Sequence, residues 1–262
     1  MNDAGDAMPS PNCSRNCVSA AAPGLGQVFL DAMPSPDWLN MANNRAQVAF
    51  FAQDDWVAWL PQAIGLLDEA ELARVARRRR IRDREGLVLA YALHRLFLGR
   101  ALGLEPMQVP LGRDELGCPR LQGMAVSTSL SHADQYLAMA VCPHGPVGVD
   151  IEPAARAAGM DEIAAQVCHP VEIARLADKE ASVRSERLLS LWVRKEALLK
   201  AAGIGLEREM NTFQAPEGVE LPLANQDRGK TCLHMLNAGP GAVAAVAIPP
   251  RAMACAAWFR PG

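Results

Sequence analysis

The sequence predicts an α+β fold built from two similar halves. Helices followed by short strands occur twice along the chain, and a break containing Pro143 and Pro146 separates the two series. No sequence repeat accompanies this doubled order, but the types of element follow one another in the same way. We therefore expect an N-terminal half over residues 45–146 and a C-terminal half over residues 147–262, which would hold a metal site and a signature helix.

Residues 1–44 have a different composition from the rest of the chain. They are rich in Ala, Pro, Asn, Ser and Gly and show no helical or strand periodicity. Such a segment buries too little apolar surface to offset its ordering entropy. We expect residues 1–44 to be a disordered N-terminal extension.

Composition excludes several classes of protein. The formal net charge is −3, so the chain as a whole is not a polyanion binder. The chain has seven cysteines, at positions 13, 17, 118, 142, 168, 232 and 255. Their scatter, without a CxxC pair, argues against a zinc site or a disulfide framework and fits a reducing cytoplasm. No apolar run reaches ~18 residues and the N-terminus lacks a basic stretch, so we expect no membrane partner and no signal peptide.

The N-terminal half is predicted to begin with a strand at residues 46–51, followed by a helix over residues 66–80. The mostly apolar run of residues 87–98 is the right length for a buried core helix, and Gly103 is a candidate C-cap. His94 lies within this run, and we interpret it as a structural histidine.

Six arginines lie close together near the end of the first predicted helix, at positions 77, 78, 79, 80, 82 and 84. Three interpretations stay open: a solvated helix face, a non-specific nucleic-acid patch, or a site for a small polyphosphate. The run has no aromatic residues between its arginines to stack on bases. The arginine fork matches phosphate oxygens, so a polyphosphate site fits at least as well.

Short strands and turns follow. A hairpin is predicted over residues 111–120, and strands over 126–133, 136–141 and 147–151. Glu172 falls in the first turn of a helix after Pro170. The next helix covers residues 185–202 and ends at Gly203. Three strands complete the chain, over residues 231–236, 241–248 and 253–259.

The helix before Gly203 carries three chemically distinct residues on one face. Trp192, Glu196 and Lys200 stand four apart, so they lie above one another. An exposed helix often carries a Glu–Lys pair at this spacing, worth only ~0.2–0.5 kcal/mol. A second acidic cluster upstream favours a functional interpretation.

That cluster is Asp150 and Glu152, which are two apart on a predicted strand and therefore point to one face. One interpretation is a solvent-facing edge strand. The other is a cation between the carboxylates, and oxygen ligands without His or Cys suit Mg²⁺ or Mn²⁺. Glu196 or Glu172 is a candidate third ligand.

Ser131 and His132 lie at the end of a strand, where a phosphate contact is the most economical functional role. A metal dyad, a Lys- and Glu-bearing helix, arginines and a Ser-His pair together suit phosphoryl transfer. The chain contains no P-loop motif, which argues against a P-loop phosphotransferase. A nucleic-acid-binding module would leave the carboxylates unexplained.

These residues resemble a known family. Gly148-Val149-Asp150-Ile151-Glu152 and the pattern Trp192-x-x-Lys195-Glu196-Ala197-x-x-Lys200-x-x-Gly203, about forty residues apart, look like the two signature motifs of 4′-phosphopantetheinyl transferases of the larger, two-halved type. Leu130-Ser131-His132, Gly117-Cys118-Pro119 and His169-Pro170-x-Glu172 resemble three shorter family segments.

The resemblance implies two similar α/β halves related by pseudo-twofold symmetry, with coenzyme A in the cleft between them. The implied reaction moves 4′-phosphopantetheine from coenzyme A to a serine of an apo acyl or peptidyl carrier protein and releases adenosine 3′,5′-bisphosphate. We expect such an enzyme to be a cytoplasmic monomer with no nucleic-acid partner.

The resemblance also assigns roles by position. Asp150, Glu152 and Glu196 would hold Mg²⁺, and Glu196 would take the serine proton. Lys195 and Lys200 would stabilise developing charge. The implied phosphate and coenzyme A contacts are Arg74, Arg82, Pro119, Arg120, Ser131 and His132.

Some positions depart from the family pattern. Cys118 replaces the basic residue of the Gly-Lys/Arg-Pro turn, where Arg120 is a candidate substitute. Ala133 replaces a small hydroxyl residue, Cys168 replaces an aromatic one, and Glu71 stands where some members have a basic residue. These departures bear on coenzyme A affinity, because the metal and base positions are intact.

Overall fold

The computed structural model describes residues 23–42, 45–114, 117–205, 208–223 and 229–262. Its α-helices are α1 Leu25–Asp31, α2 Leu60–Ile64, α3 Glu69–Ala76, α4 Ile81–Leu102, α5 Ala164–Val167, α6 Pro170–Leu176 and α7 Ala181–Ala202. Its strands are β1 Arg45–Ala52, β2 Leu111–Arg113, β3 Pro119–Leu121, β4 Ser127–Ala133, β5 Tyr136–Cys142, β6 Gly148–Pro153, β7 Glu220–Pro222, β8 Lys230–Leu236, β9 Ala242–Ile248 and β10 Met253–Trp258. Short 3₁₀ segments cover Gln53–Trp59, Pro106–Gln108, Ala154–Ile163 and Met210–Thr212.

Two four-stranded sheets form the centre of this mixed α/β fold. One has the order β10-β1-β5-β4 and the other the order β6-β9-β8-β7, while β2 and β3 pair as a separate hairpin. β10 runs parallel to β1, and the other pairs are antiparallel. The last strand therefore completes the first sheet, so a cut of the chain at residue 146 does not separate the two sheets.

Three apolar clusters hold the layers together. The first packs α1 and α4 against one face of the β10-β1-β5-β4 sheet, and the second packs α7 against the other sheet. The third lies between the sheets and is built from small and branched residues, among them Val48, Ala140, Val149 and Val246. Alternation along β6 explains this arrangement, because Val149 and Ile151 face the sheet–sheet core while Asp150 and Glu152 face the other way.

Both long helices end as their sequences predict. Gly103 and Gly203 follow α4 and α7 with φ values of 68° and 66°, the left-handed C-cap conformation that favours glycine. The predicted helix over residues 66–80 is shorter than expected. Asp68 and Glu71 form a capping box at the start of α3, and the helix ends at Ala76. The next four residues, Arg77 to Arg80, have no apolar face to bury and form an exposed turn before α4, whose first turn holds Arg82 and Arg84.

The prediction of disorder is wrong for residues 23–42. Leu25, Val28 and Phe29 of α1 are buried in the first apolar cluster, and Phe29 packs 5.3 Å, centroid to centroid, from Phe259. This burial offsets the ordering cost that composition alone suggested was prohibitive. Residues 1–22, which include Cys13 and Cys17, and residues 43–44 lie outside the described residues.

No helix among the described ranges is long and apolar enough to cross a membrane.

His94 has the structural role that the sequence predicts. The residue is fully buried on α4, and its Nε2 lies 2.8 Å from Thr128 Oγ1. Its Nδ1 has no hydrogen-bond partner among the described residues. The pKa of His94 is lowered to about 3, chiefly by burial and in part by the charges of Arg113 and Arg95.

The depressed pKa of His94 predicts acid sensitivity. The unfolded chain, with a histidine pKa near ~6.5, binds more protons than the folded chain below that pH, so stability falls as the pH falls. Between pH 7 and pH 5 the free energy of unfolding should fall by about 2 kcal/mol more in the wild type than in His94→Gln. Urea denaturation at the two pH values measures this difference. His144→Gln, at an exposed position, should behave like the wild type, and equal pH slopes for wild type and His94→Gln would contradict the prediction.

Gly148 marks the closest approach of a strand to a helix. A Cβ atom placed on Gly148 would lie 2.0 Å from the carbonyl oxygen of Ala197 and 2.4 Å from the amide nitrogen of Ala201. No rotamer change relieves a clash with backbone atoms, so only glycine lets β6 and α7 pack at this distance.

We expect Gly148→Ala to lower the free energy of unfolding by about 3 kcal/mol, the upper end of typical overpacking costs. Chemical denaturation gives the value directly. Gly159→Ala is the matched control, because no atom lies within 4 Å of its added Cβ, and its effect should stay within about 0.5 kcal/mol. An unchanged unfolding midpoint for Gly148→Ala would show that α7 can move away from β6 at little cost.

Candidate active site

The contact between β6 and α7 brings the two predicted clusters together. Lys200 Nζ donates to Asp150 Oδ1 at 2.7 Å, and Trp192 Nε1 donates to Glu152 Oε1 at 3.2 Å. Glu196 lies on the same face of α7, one helical turn after Trp192 and one turn before Lys200. The predicted shared face of Trp192, Glu196 and Lys200 is confirmed by these contacts.

Further side chains fix both carboxylates of β6. Ser131 Oγ, on β4, donates to Asp150 Oδ1 at 2.7 Å. Arg156 Nη1 donates to Glu152 Oε1 at 2.6 Å, and its guanidinium lies 4.8 Å from the centroid of the Trp192 ring. Asp150 is 3% exposed and Glu152 is 6% exposed, so the interpretation of a solvent-facing pair is wrong.

The donor set of this cluster suits a hard cation. Asp150 Oδ2 and Glu152 Oε2 are buried and have no hydrogen-bond partner within the described part of the chain. Buried carboxylate oxygens of this kind are ligands for Mg²⁺. In the described ranges no three His, Cys, Asp or Glu side chains stand close enough to form a complete metal site. Instead, Lys200 pairs with Oδ1 of Asp150 and Arg156 pairs with Oε1 of Glu152, and these contacts neutralise the two carboxylates.

Glu196 has the most perturbed carboxyl group of the cluster. The pKa of Glu196 is raised to about 7: burial contributes most, the charges of Asp150 and Glu152 contribute to the rise, and Lys200 opposes it. Burial also raises the pKa of Glu152, against the hydrogen bond from Arg156. Three carboxylates within one desolvated site repel one another, and a cation between them relieves that repulsion.

Lys195 lies on a different face of α7 and does not enter this cluster. It is fully buried, and its Nζ donates to the carbonyl oxygens of Val167, Met210 and Phe213 at 2.7–2.8 Å. Its ion pair with Glu172 is 2.6 Å long. The predicted role of Lys195 in charge stabilisation is therefore not supported by its position, because one residue along a helix turns the side chain by about 100°.

Glu172 likewise lies outside the cluster. It accepts hydrogen bonds from the amides of His169 and Ala215 at 2.9 Å, besides its ion pair with Lys195. The His169 bond caps the start of α6, and the other two contacts tie α6 to α7 and to the segment after α7. The suggestion that Glu172 is a third metal ligand is wrong for this reason.

Two adjoining clefts extend from the cluster. The first has a volume of about 460 Å³, and its lining includes Arg74, Pro119, Arg120, His132, Glu196 and Lys200. The second has a volume of about 470 Å³ and is lined by Arg80, Arg82 and His132, among others. Arg78, Leu87 and His132 line both clefts. Except for Ser131, which binds Asp150 directly, the predicted phosphate contacts are therefore spread along a recess formed by these two adjoining clefts.

Two of the departures from the family pattern now have a structural explanation. Glu71 is buried and pairs with Arg95 at 2.7 Å, so it serves the fold and not a ligand. Arg120 Nη2 lies 2.8 Å from Asp114 Oδ2, so its charge is already paired.

Sequence reasoning missed Arg156 and Arg113. Arg156 stands four residues after Glu152, a spacing that offered a signal for an ion pair. Arg113 reaches the first cleft from β2, and no local pattern in the sequence marks it.

Comparison with known proteins gives a family match over this site. Residues 146–246 match a family model described as the 4′-phosphopantetheinyl transferase superfamily. The resemblance to 4′-phosphopantetheinyl transferases is confirmed. The prediction that the chain is a transferase enzyme is confirmed with it. The matched segment contains β6, α7, β8 and most of β9, and so includes Asp150, Glu152 and Glu196.

Individual relatives agree at modest identity. The chain is 28% identical to the 4′-phosphopantetheinyl transferase of Bacillus subtilis over 132 residues, which cover 50% of this chain and 58% of that protein. It is 29% identical to the 4′-phosphopantetheinyl transferase gsp of Aneurinibacillus migulanus over 51% of this chain and 54% of that protein. It is 25% identical to the 4′-phosphopantetheinyl transferase HetI of Nostoc sp. over 67% of this chain and 76% of that protein.

The position of Lys195 predicts a stability defect upon its replacement. Lys195→Met would leave Glu172 buried without its countercharge, and we expect the free energy of unfolding to fall by about 3–5 kcal/mol. Guanidinium denaturation measures the loss. Lys179→Met, which removes an exposed lysine, should change stability by less than about 0.5 kcal/mol. A stable Lys195→Met protein that lacked only activity would return Lys195 to the active site.

Proposed function

We propose that this chain transfers the 4′-phosphopantetheine group from coenzyme A to a serine of an apo acyl or peptidyl carrier protein and releases adenosine 3′,5′-bisphosphate. The observation that carries the proposal is the convergence of Asp150, Glu152, Glu196 and Lys200 at one end of a cleft lined with basic side chains. Phosphoryl transfer needs this combination of carboxylates and cations.

The donor set supports Mg²⁺ as the cofactor, with Mn²⁺ as an alternative. Asp150, Glu152 and Glu196 would hold the ion through carboxylate oxygens, two of which are buried without partners among the described residues. When bound, Mg²⁺ would neutralise negative charge on the coenzyme A pyrophosphate.

Glu196 is the proposed general base. The serine oxygen of the carrier forms a bond to the phosphorus that carries pantetheine, and the bond from that phosphorus to the bridging oxygen breaks. Adenosine 3′,5′-bisphosphate leaves with the bridging oxygen and the bonding electron pair. Glu196 accepts the serine proton directly or through water, and Lys200 stabilises the negative charge that develops on the phosphate oxygens.

Basic side chains along the recess would hold the rest of coenzyme A. Arg82 lines the second cleft and His132 lines both clefts, and together they suit the 3′-phosphate. Arg74, Pro119 and Arg120 line the first cleft nearer Glu196. Ser131 donates to Asp150, so its contribution would include the orientation of that carboxylate.

We also propose that the molecule consists of two halves related by pseudo-twofold symmetry. In support, each four-stranded sheet packs against one 22-residue helix, α4 or α7. The halves divide near residue 146, except that β10 belongs to the first sheet. A cleft formed within one chain supports a monomer. The cysteine usage supports a cytoplasmic location, and neither nucleic acid nor a membrane is a proposed partner.

Replacement of the carboxylates tests the reaction. Asp150→Asn and Glu196→Gln should each lower the rate of transfer by ~10²-fold or more, because each removes a metal ligand or the base. Intact-protein mass spectrometry of an apo carrier protein, incubated with the enzyme, coenzyme A and Mg²⁺, should show a gain of one phosphopantetheine mass. Glu186→Gln, at an exposed position on α7, should retain the wild-type rate. Transfer by Glu196→Gln within about twofold of wild type would contradict the assigned role.

A chelator provides the corresponding test of the metal. Excess EDTA should abolish the mass gain, and added Mg²⁺ should restore it. Undiminished transfer in EDTA would show that the carboxylates do not serve a metal.

A further inference from the structure

Arg113 is a half-buried arginine that lines the first cleft, and two of its hydrogen-bond donors are unused among the described residues. Its guanidinium lies 4.3 Å from the centroid of the Tyr91 ring, and its Nη1 donates to the carbonyl oxygen of Gly117 at 3.1 Å. Its Nε and Nη2 are buried and have no hydrogen-bond partner within the described ranges. The stacking and the Nη1 bond hold the guanidinium in place, so the unused donors have a defined position.

The carboxylates that the structure describes near Arg113 do not supply the missing partner. Glu71 is engaged by Arg95, and Asp114 accepts from the amide of Cys118 at 2.9 Å and from Arg120 at 2.9 Å. An arginine keeps its charge in a protein, and a buried charge without a partner is costly. Among the described residues, Nε and Nη2 of Arg113 therefore have no anionic partner, and an anionic ligand would stabilise them.

The adjacent turn, Gly117-Cys118-Pro119, does not provide a cation of its own. Burial raises the pKa of the Cys118 thiol, so this side chain is neutral at physiological pH. Arg120 is the residue that the sequence suggested as a substitute for the missing basic residue, but its guanidinium is already paired with Asp114. Arg113 lines the same cleft as Cys118, Glu196 and Lys200, whereas Arg82 lies only in the second cleft.

We propose that Arg113 binds a pyrophosphate oxygen of the substrate, and supplies the positive charge that the Gly117-Cys118-Pro119 turn lacks. The proposal rests on the proposed function for the identity of the substrate, and on the unpaired donors for the chemistry. The fork of Nε and Nη2 matches two oxygens of one phosphate group. The site belongs to the pyrophosphate end of the recess, because it shares a cleft with Glu196 and Lys200.

Ligand binding by Arg113→Gln is the primary test. Titration calorimetry should show that this variant binds coenzyme A ~10-fold or more weakly than wild type, because a charge-assisted bidentate contact is lost. Dephospho-coenzyme A, which lacks the 3′-phosphate, should lose affinity by the same factor. If only coenzyme A binding weakened, Arg113 would contact the 3′-phosphate and the proposal would be wrong. Arg79→Gln removes an exposed arginine that does not line either cleft and should bind both ligands as wild type does.

Thermal unfolding separates a binding role from a structural one. Removal of an unpaired buried charge should leave the melting temperature of ligand-free Arg113→Gln equal to or above that of wild type. The increase in melting temperature caused by coenzyme A should be smaller in the variant. A lower melting temperature without ligand, together with an unchanged ligand-induced increase, would show that Arg113 is structural.

A second variant tests the relation to Cys118. Cys118→Lys places a cation in the same cleft and should restore most of the coenzyme A affinity in the Arg113→Gln background. Failure of this rescue would overturn the claim that Arg113 replaces the charge of the turn.

The binding experiments are independent of turnover. A wild type that binds coenzyme A and pyrophosphate but modifies no carrier protein would contradict the proposed function alone. A wild type that transfers phosphopantetheine while Arg113→Gln binds coenzyme A normally would overturn the present inference alone. A wild type that binds neither coenzyme A nor pyrophosphate would overturn both.

Discussion

The close packing of α7 on β6 at Gly148 is the constraint on which the site depends. The missing side chain lets the turn of α7 around Ala197 lie directly on the strand. Glu196 and Lys200 flank that contact on the helix, and Asp150 follows it on the strand. A larger residue at position 148 would separate the two elements and lengthen the 2.7 Å contact between Lys200 and Asp150. A single backbone contact thus sets the spacing of the charged groups.

The charges of the site are balanced in pairs. Asp150 meets Lys200 and Ser131, and Glu152 meets Arg156 and the indole of Trp192. Each carboxylate keeps one oxygen free of these contacts within the described part of the chain. The paired oxygens hold the side chains in fixed orientations, so the free oxygens are presented without a large loss of side-chain entropy upon binding a cation.

Sequence patterns predicted the local elements and the shared helix face well, because periodicity and caps are local properties. The four-residue spacing of Trp192, Glu196 and Lys200 and the caps at Gly103 and Gly203 are examples. Periodicity places Lys195 and Lys200 on different faces of α7, but the burial of Lys195 was not predictable in this way. Both lysines lie in one motif, but which one is buried depends on where the segment after α7 places its carbonyl groups.

Long-range packing accounts for the other differences. α1 is ordered because Phe29 packs against Phe51 and Phe259, which are far from it in sequence. Arg113 enters the cleft because the β2–β3 hairpin folds over Tyr91 on α4. Neither contact follows from composition or from a short motif, since each joins elements whose relative position only the complete fold determines.

The parallel pairing of β10 with β1 has a consequence for synthesis of the chain. β1 pairs with residues 253–258, which follow it in the chain only after every other strand of both sheets. During translation this edge of β1 stays without its partner until β10 has left the ribosome. An uncovered strand edge is a template for pairing with other chains. The order of synthesis therefore exposes this edge of the nascent sheet to intermolecular association until β10 docks on it.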